Sequence, residues 1–391
     1  MSDARWNIDT RLIHAGDPRP GIDGAVVTPI FQSANFEHAG DGAYDDVRYI
    51  RLNNTPNHDA LAAKLAAVGG AEAAIVTASG MAAITTAILS TVGAGDHILF
   101  SRHLYGGTRS FVEDELPRLG VAFDLIDPEK PDDWAALVRP ETRAVYVETI
   151  SNPTMRIPDL EAVVALGRDR ELVTMIDNTF ASPINFRPAE IGFDLVLHSG
   201  TKYLNGHSDI VAGAVLGRGD LIDDLRHRLN LLGGSLDPHA CFLLGRGMAT
   251  LGLRVRRQNE TALALAELLD DRPEVTGVNY PGLPAHPGHA HASRLFGGYG
   301  GMLSFELAGG LDAADRFMSA LHIPISAPSL GGVHSLVTRP ATTSHAGMPP
   351  EDRRAVGVTD GLIRLSVGIE SAADLTADIE QALDASLRPA G

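Results

Sequence analysis

The sequence predicts an α/β protein: a mostly parallel sheet wrapped by helices, followed by a smaller α+β domain. Three observations predict it. Short apolar runs alternate with helical patterns from residue 73 to about residue 250. Several of these runs are apolar on both faces, as parallel strands covered by helices are. From Arg254 the alternation gives way to a looser mixture of helices, strands and a Pro/Gly/His-rich loop. At 391 residues the chain is long for one domain, and the boundaries fall at 1–55 (an arm), 56–253 (a large domain) and 254–391 (a small domain).

The arm shows little periodicity, with turns at Asp17-Pro18 and Thr28-Pro29. A helix is expected from Thr55 as cap with Pro56 at its first position, running through Leu61, Leu65 and Val68 to Gly69-Gly70. Lys64 is expected on or beside its solvent face. Seven strands follow: Ala73–Thr77, His97–Phe100, Ala122–Ile126, Ala144–Val147, Val173–Ile176, Leu195–Leu197 and Gly213–Leu216. Helical patterns such as Leu160–Arg168 lie between several of them. In the small domain we expect a helix over Glu260–Leu269 and a strand over Val275–Tyr280. A strand (Met302–Leu307), a helix (Ala313–Leu321), a strand (Leu362–Val367) and a last helix (Ala373–Leu387) complete it.

Composition excludes several functions. A formal net charge of −17 argues against nucleic acid as a partner, because phosphate binding needs clustered cations. No run approaches the roughly 18 apolar residues of a membrane span, and the start Met1–Trp6 has no apolar signal region. The single cysteine, Cys241, excludes an intrachain disulfide and reads as a small core residue. A cytoplasmic location is expected.

Ligands of open parallel sheets bind beyond the carboxyl ends of strands, where Ser79, Glu148, Asp177 and Lys202 fall. Only three of the 32 cations are lysines. Lys202, in Ser199-Gly200-Thr201-Lys202-Tyr203, follows an apolar strand, and a lysine amine can lose its proton and attack a carbonyl. Ser79-Gly80-Met81 opens a helix after a strand, a natural anion site, though an ordinary helix cap explains it alone. Asp177 arrives at a strand end and needs a cationic or donor partner, for which a protonated pyridine and an arginine serve equally. Tyr105 precedes Gly106-Gly107 and offers a flat ring for stacking; a core tyrosine is the plainer reading taken singly. No phosphate-loop or dinucleotide fingerprint is present, and Ser199 has no hydrolase elbow around it. His286, His289 and His291 share one loop with no acidic residue or cysteine close in sequence, and no metal site is expected. Arg254, Arg256 and Arg257 read as a solvated or interface helix face.

In combination these parts are what a pyridoxal-phosphate (PLP) site requires. The chain resembles the Cys/Met-metabolism family of PLP enzymes. The resemblance rests on Tyr49-Ile50-Arg51, Ala78-Ser79-Gly80-Met81, Leu104-Tyr105-Gly106-Gly107-Thr108, Glu148-Thr149 with Asn152-Pro153, and Ile176-Asp177-Asn178-Thr179. It continues through Ser199–Tyr203, Ser329-Leu330-Gly331-Gly332 and Arg364–Gly368. It implies the PLP-dependent transferase fold type I, with a mostly parallel seven-stranded sheet, and pyridoxal 5′-phosphate as cofactor. It implies that Lys202 forms the Schiff base and later moves protons, that Asp177 keeps the ring nitrogen protonated, that Ser79, Gly80, Met81, Ser199 and Thr201 hold the phosphate, and that Thr179 is a further cofactor-binding residue. By the same resemblance Tyr105 stacks on the ring and serves as an acid–base group. Tyr49 and Arg51 reach the phosphate of a neighbouring subunit in a homotetramer built as a dimer of dimers. Asn152, Ser329 and Arg364 contact the amino-acid substrate. The implied reaction is γ-elimination on L-methionine or L-cystathionine, with γ-replacement as the alternative. The chain departs from the pattern at Pro328, where cystathionine-handling members often carry a glutamate, and at Gly107, where methionine γ-lyases often carry a cysteine. It departs again at His334, where an acidic residue is frequent, and in the segment after Arg51.

Overall fold

A computed structural model describes residues 6–38, 40 and 47–387; residues 1–5, 39 and 41–46 of the expected arm lie outside the described residues. The chain divides into two compact units. The first holds the chain up to Arg102, Gly107–Thr149 and Asp159–Gly252; the second holds His103–Gly106, Ile150–Pro158 and Leu253–Gly391.

The first unit is built on seven strands: β1 (Ala73–Thr77), β2 (His97–Ser101), β3 (Ala122–Ile126), β4 (Thr142–Glu148), β5 (Val173–Asp177), β6 (Leu195–Ser199) and β7 (Gly213–Gly217). Their order in the sheet is β1-β7-β6-β5-β4-β2-β3. Every pairing is parallel except those of β7, which runs antiparallel to both β1 and β6. The expected α/β architecture is therefore present, with β1 and β3 spanning the expected residues and the other five strands one to three residues longer than the apolar runs. The extra residues include Glu148, Asp177 and Ser199, the polar ends that the apolar pattern leaves out. Ile98, Leu99, Phe100 and Ala144–Val147 are fully buried, which explains why these strands read as continuous apolar runs.

The helix Pro56–Gly69 starts and stops as the sequence predicts, with Thr55 as cap and Gly70 in the left-handed region at φ 69°. Two expectations in this region fail. The arm contains a helix, Ile8–His14, capped by the Asn7 side chain and buried through Leu12. Lys64 does not face solvent. It is 5% exposed, and its Nζ donates to the carbonyls of Leu12 (3.1 Å) and Ile13 (3.0 Å) and to Asp17 (3.4 Å). The amine thus sits at the carboxyl end of the arm helix, where the helix dipole and the last carbonyls favour a cation.

The second unit holds a five-stranded sheet, which in spatial order runs Ile325–Ser326, Leu336–Thr338, Leu362–Ser366, Met302–Leu307 and Val275–Asn279. Its strands are β8 (Val275–Asn279), β9 (Met302–Leu307), β10 (Ile325–Ser326), β11 (Leu336–Thr338) and β12 (Leu362–Ser366). Leu303, Phe305, Ile363 and Leu365 from the sheet pack with Phe317, Leu375, Ile379 and Leu383 from the helices Gly310–Ala320 and Ala372–Ser386. The helix expected at Glu260–Leu269 spans Leu251–Asp270. Its first turns carry the arginine cluster, and Arg254 is buried rather than solvated; burial lowers its pKa to about 10.

Candidate active site

In the first unit the carboxyl ends of β4, β5 and β6 lie side by side and deliver Glu148, Asp177 and Ser199. Glu148 and Asp177 are register partners. Asp177 is the better defined. Its Oδ1 accepts the backbone N–H of Thr179 at 3.0 Å and the Thr179 hydroxyl at 2.5 Å. Burial raises the Asp177 pKa, and the two Thr179 bonds pull it back down. Thr179 Oγ1 in turn accepts the backbone N–H of Ser199 at 2.8 Å. Tyr146, two residues before Glu148 on β4, is fully buried; burial raises its pKa well above the ordinary phenol value, and the charges of Asp177 and Glu148 add to the effect.

The helix Gly80–Thr91 follows β1. Ser79 caps it, its Oγ accepting the N–H of Ala82 at 3.0 Å. The cap reading of Ser79 is therefore correct, and it leaves the backbone N–H groups of the first turn as anion donors. Gly80 lies against Ser199. A Cβ on Gly80 would stand 2.9 Å from Ser199 Cβ and Oγ, so only glycine permits this approach. The antiparallel β7 closes the other side: a Cβ on Gly213 would lie 2.2 Å from the Ser79 carbonyl oxygen.

Lys202 lies in a tight turn after β6. Its N–H donates to the Ser199 carbonyl at 3.2 Å, and its carbonyl accepts Gly206 N–H at 2.8 Å. The Thr201 hydroxyl is exchanged with Ala212, accepting its N–H at 3.0 Å and reaching its carbonyl at 3.2 Å. His198, next to Ser199, is buried, and burial lowers its pKa to about 3. Tyr49 and Arg51 stand apart on the arm. The Arg51 guanidinium lies 5.6 Å from the Tyr49 ring centroid, and it donates to the Asn230 carbonyl at 3.1 Å.

The second unit gathers a different set. Arg364 lies on β12, between Thr338 of β11 and Ser304 of β9. It is 6% exposed, and its two terminal nitrogens donate to Asn152 Oδ1 and to the Ser329 carbonyl, each at 3.0 Å. Asn152, Ser329 and Arg364, scattered over the sequence, are thus one cluster. Ser329 holds a φ of 92°, which a residue with a side chain rarely adopts, so packing must enforce it. The packing is visible in the loop that follows. Gly331 N–H donates to the Ser366 hydroxyl at 2.9 Å, and Gln258 Nε2 donates to the carbonyls of Gly332 (2.9 Å) and Val367 (3.1 Å). Gln258 is fully buried, and no sequence signal marks it. Tyr105, 43% exposed, precedes Gly106, whose Cβ would meet the Ser344 carbonyl at 2.6 Å. Of the loop histidines, His286 is buried and its pKa is lowered to about 4, first by burial and then by Arg156.

The donor set of the first unit fits a pyridoxal phosphate. Asp177 has one oxygen occupied by two local donors and a second for a ring nitrogen. Gly80 leaves a cradle, beside a helix opening, that a Cβ would fill. Lysine follows on the next strand end. The fold and this set of residues define a PLP-dependent enzyme.

Comparison with known proteins agrees. The profile of the Cys/Met metabolism PLP-dependent enzyme family matches residues 9–384. A cystathionine beta-lyase of Bacillus subtilis (strain 168) is 41% identical, covering 98% of both chains. An L-methionine gamma-lyase of Porphyromonas gingivalis (strain ATCC BAA-308 / W83) is 40% identical over 97% of this chain and 98% of its own. The crystal structure of cystathionine gamma synthase from Xanthomonas oryzae pv. oryzae, in complex with aminoacrylate and cysteine, superposes with a TM-score of 0.94. It is 40% identical and covers 97% of this chain and 98% of that one. The chain belongs to the Cys/Met-metabolism family of PLP-dependent enzymes, and it is a lyase or synthase acting on sulfur amino acids. Among the described residues no helix is long and apolar enough to cross a membrane.

Proposed function

We propose that the protein catalyses γ-elimination on L-methionine or L-cystathionine, giving 2-oxobutanoate, ammonia and a thiol. The observation that carries the amino-acid part of this reading is the buried fork of Arg364, its plane fixed by Asn152 and the Ser329 carbonyl, which suits a planar carboxylate. PLP, when bound, supplies an electron sink that acidifies the substrate's α- and β-carbons. Lys202 Nζ would take the α-proton and then a β-proton, which lets the bond from the γ-carbon to sulfur break. Asp177 holds the proton of the ring nitrogen, and the first turn of Gly80–Thr91 together with Ser199 and Thr201 binds the phosphate. Tyr105 stacks on the ring and donates a proton to the leaving sulfur. Tyr49 and Arg51 serve a neighbouring subunit of a homotetramer, in keeping with their exposure on the arm.

A relative named a γ-lyase at 40% identity supports elimination at Cγ. The stretch Ser326–His334 contains no acid to take the distal ammonium of cystathionine, which favours a simpler thioether. A second reading is β-elimination on cystathionine, which a relative named a β-lyase at 41% identity favours. Product analysis separates the readings. From cystathionine, γ-elimination gives 2-oxobutanoate and cysteine, whereas β-elimination gives pyruvate and homocysteine. O-acetylhomoserine offered with cysteine or sulfide reports replacement. The proposal fails if neither methionine nor cystathionine yields 2-oxobutanoate.

A further inference from the structure

We infer that Thr179 is a positioning residue that ties the ring-nitrogen carboxylate to the phosphate cradle. The hydroxyl of Thr179 donates to Asp177 Oδ1 at 2.5 Å and accepts the backbone N–H of Ser199 at 2.8 Å. Its own N–H reaches the same Oδ1 at 3.0 Å. One oxygen of Asp177 is thereby held by two donors, which fixes the rotation of the carboxylate and aims Oδ2. The other end of the chain is as rigid. Ser199 is the last residue of β6 and has Gly80 packed against its side chain at a distance no Cβ would allow.

The pieces come from three places in the sequence: the end of β5 with the Thr179 turn that follows it, the end of β6 and the opening of the helix Gly80–Thr91. A pyridoxal phosphate carries its phosphate arm on C5, two ring bonds from the ring nitrogen, so both contacts must be met at a fixed span. A hydrogen-bonded chain that joins the two protein contacts sets that span before the cofactor arrives. Threonine suits the task because its hydroxyl donates and accepts at once, and its β-branch restricts χ1. Thr179 on this account acts through Asp177 and Ser199.

The inference rests on Asp177 as the partner of the ring nitrogen, and the experiment keeps the two apart. Thr179→Val, Thr179→Ser and Asp177→Ala are prepared as holoenzymes. The dissociation constant for PLP and the visible absorption spectrum are measured for each. Thr179→Val removes the donor to Asp177 and the acceptor for Ser199 while keeping shape. It is expected to weaken PLP binding about tenfold to a hundredfold, the range for a lost hydrogen bond to a charged group, and to shift the visible band. Thr179→Ser restores the hydroxyl and is expected to return both readouts to within about threefold of the parent, which a merely space-filling role would not require. If Asp177→Ala changes neither affinity nor band, the assignment of Asp177 is wrong. If Asp177→Ala changes them and Thr179→Val does not, or if serine fails to rescue, the positioning role of Thr179 is overturned.

Discussion

Replacing Arg364 by lysine tests the carboxylate clamp with the charge kept. Arg364 is 6% exposed on an inner strand, and its two terminal nitrogens each make a 3.0 Å bond, to Asn152 Oδ1 and to the Ser329 carbonyl. Those bonds fix the plane of the guanidinium. A lysine ammonium is a single point on a flexible stem and cannot present two parallel donors to a carboxylate. One charge-assisted hydrogen bond to the substrate is therefore lost, worth about 1.5–3 kcal/mol. That corresponds to about a 10- to 150-fold fall in kcat/KM. Because a carboxylate remote from the bond being broken is held equally in ground and transition states, most of the loss is expected in KM. The assay is steady-state kinetics with methionine and cystathionine, with the cofactor's visible band recorded to show that the variant is loaded. An unchanged KM, or a loss confined to kcat, would refute the clamp.

Three further outcomes are expected. Gly80→Ala places a Cβ 2.9 Å from Ser199 Cβ and Oγ; equilibrium binding is expected to show PLP affinity lowered about tenfold or more, with the circular dichroism of the fold retained. Lys64→Met removes the amine from two helix-end carbonyls and Asp17. The cost is about 2 kcal/mol, so the thermal midpoint is expected to fall by roughly 4–8 °C, and a midpoint within a degree of the parent would show that the staple is idle. His198 is buried with its pKa lowered to about 3 from 6.5, so the unfolded chain binds a proton that the folded chain refuses in that window. Stability is thus intact above about pH 6.5 and declines as pH falls toward 3. At pH 5 the contribution is about 2 kcal/mol, and His198→Gln is expected to flatten the pH dependence of denaturant unfolding by that amount.

The sheet was legible because its inner strands, buried on both faces, cannot avoid being apolar on both, and the helix at Pro56 because Thr55, Pro56 and Gly70 punctuate it. The candidate site was legible where the proposed residues sit in short runs, as at Ser79–Met81, Asp177–Thr179 and Ser199–Lys202. What escaped was long-range. The arm helix Ile8–His14 buries through Leu12, too little for a periodic signal. Lys64 looks like a surface lysine until carbonyls from about fifty residues earlier are folded onto it. Gln258 finds its acceptors 74 and 109 residues away, and nothing in its neighbours says so. Arg254 likewise is buried by partners that its helix does not contain.

The division of the chain bears on its synthesis. The second unit takes His103–Gly106 and Ile150–Pro158 from the middle of the first, so no single cut releases it whole. Asn152 leaves the ribosome 212 residues ahead of Arg364, the side chain it must meet. A nascent chain ending near Gly252 already contains Lys202, Asp177 and Ser199, yet half of the Asn152–Arg364 pair is still to be translated. Premature termination there would therefore leave a product that carries the proposed cofactor residues without Arg364, the proposed carboxylate clamp.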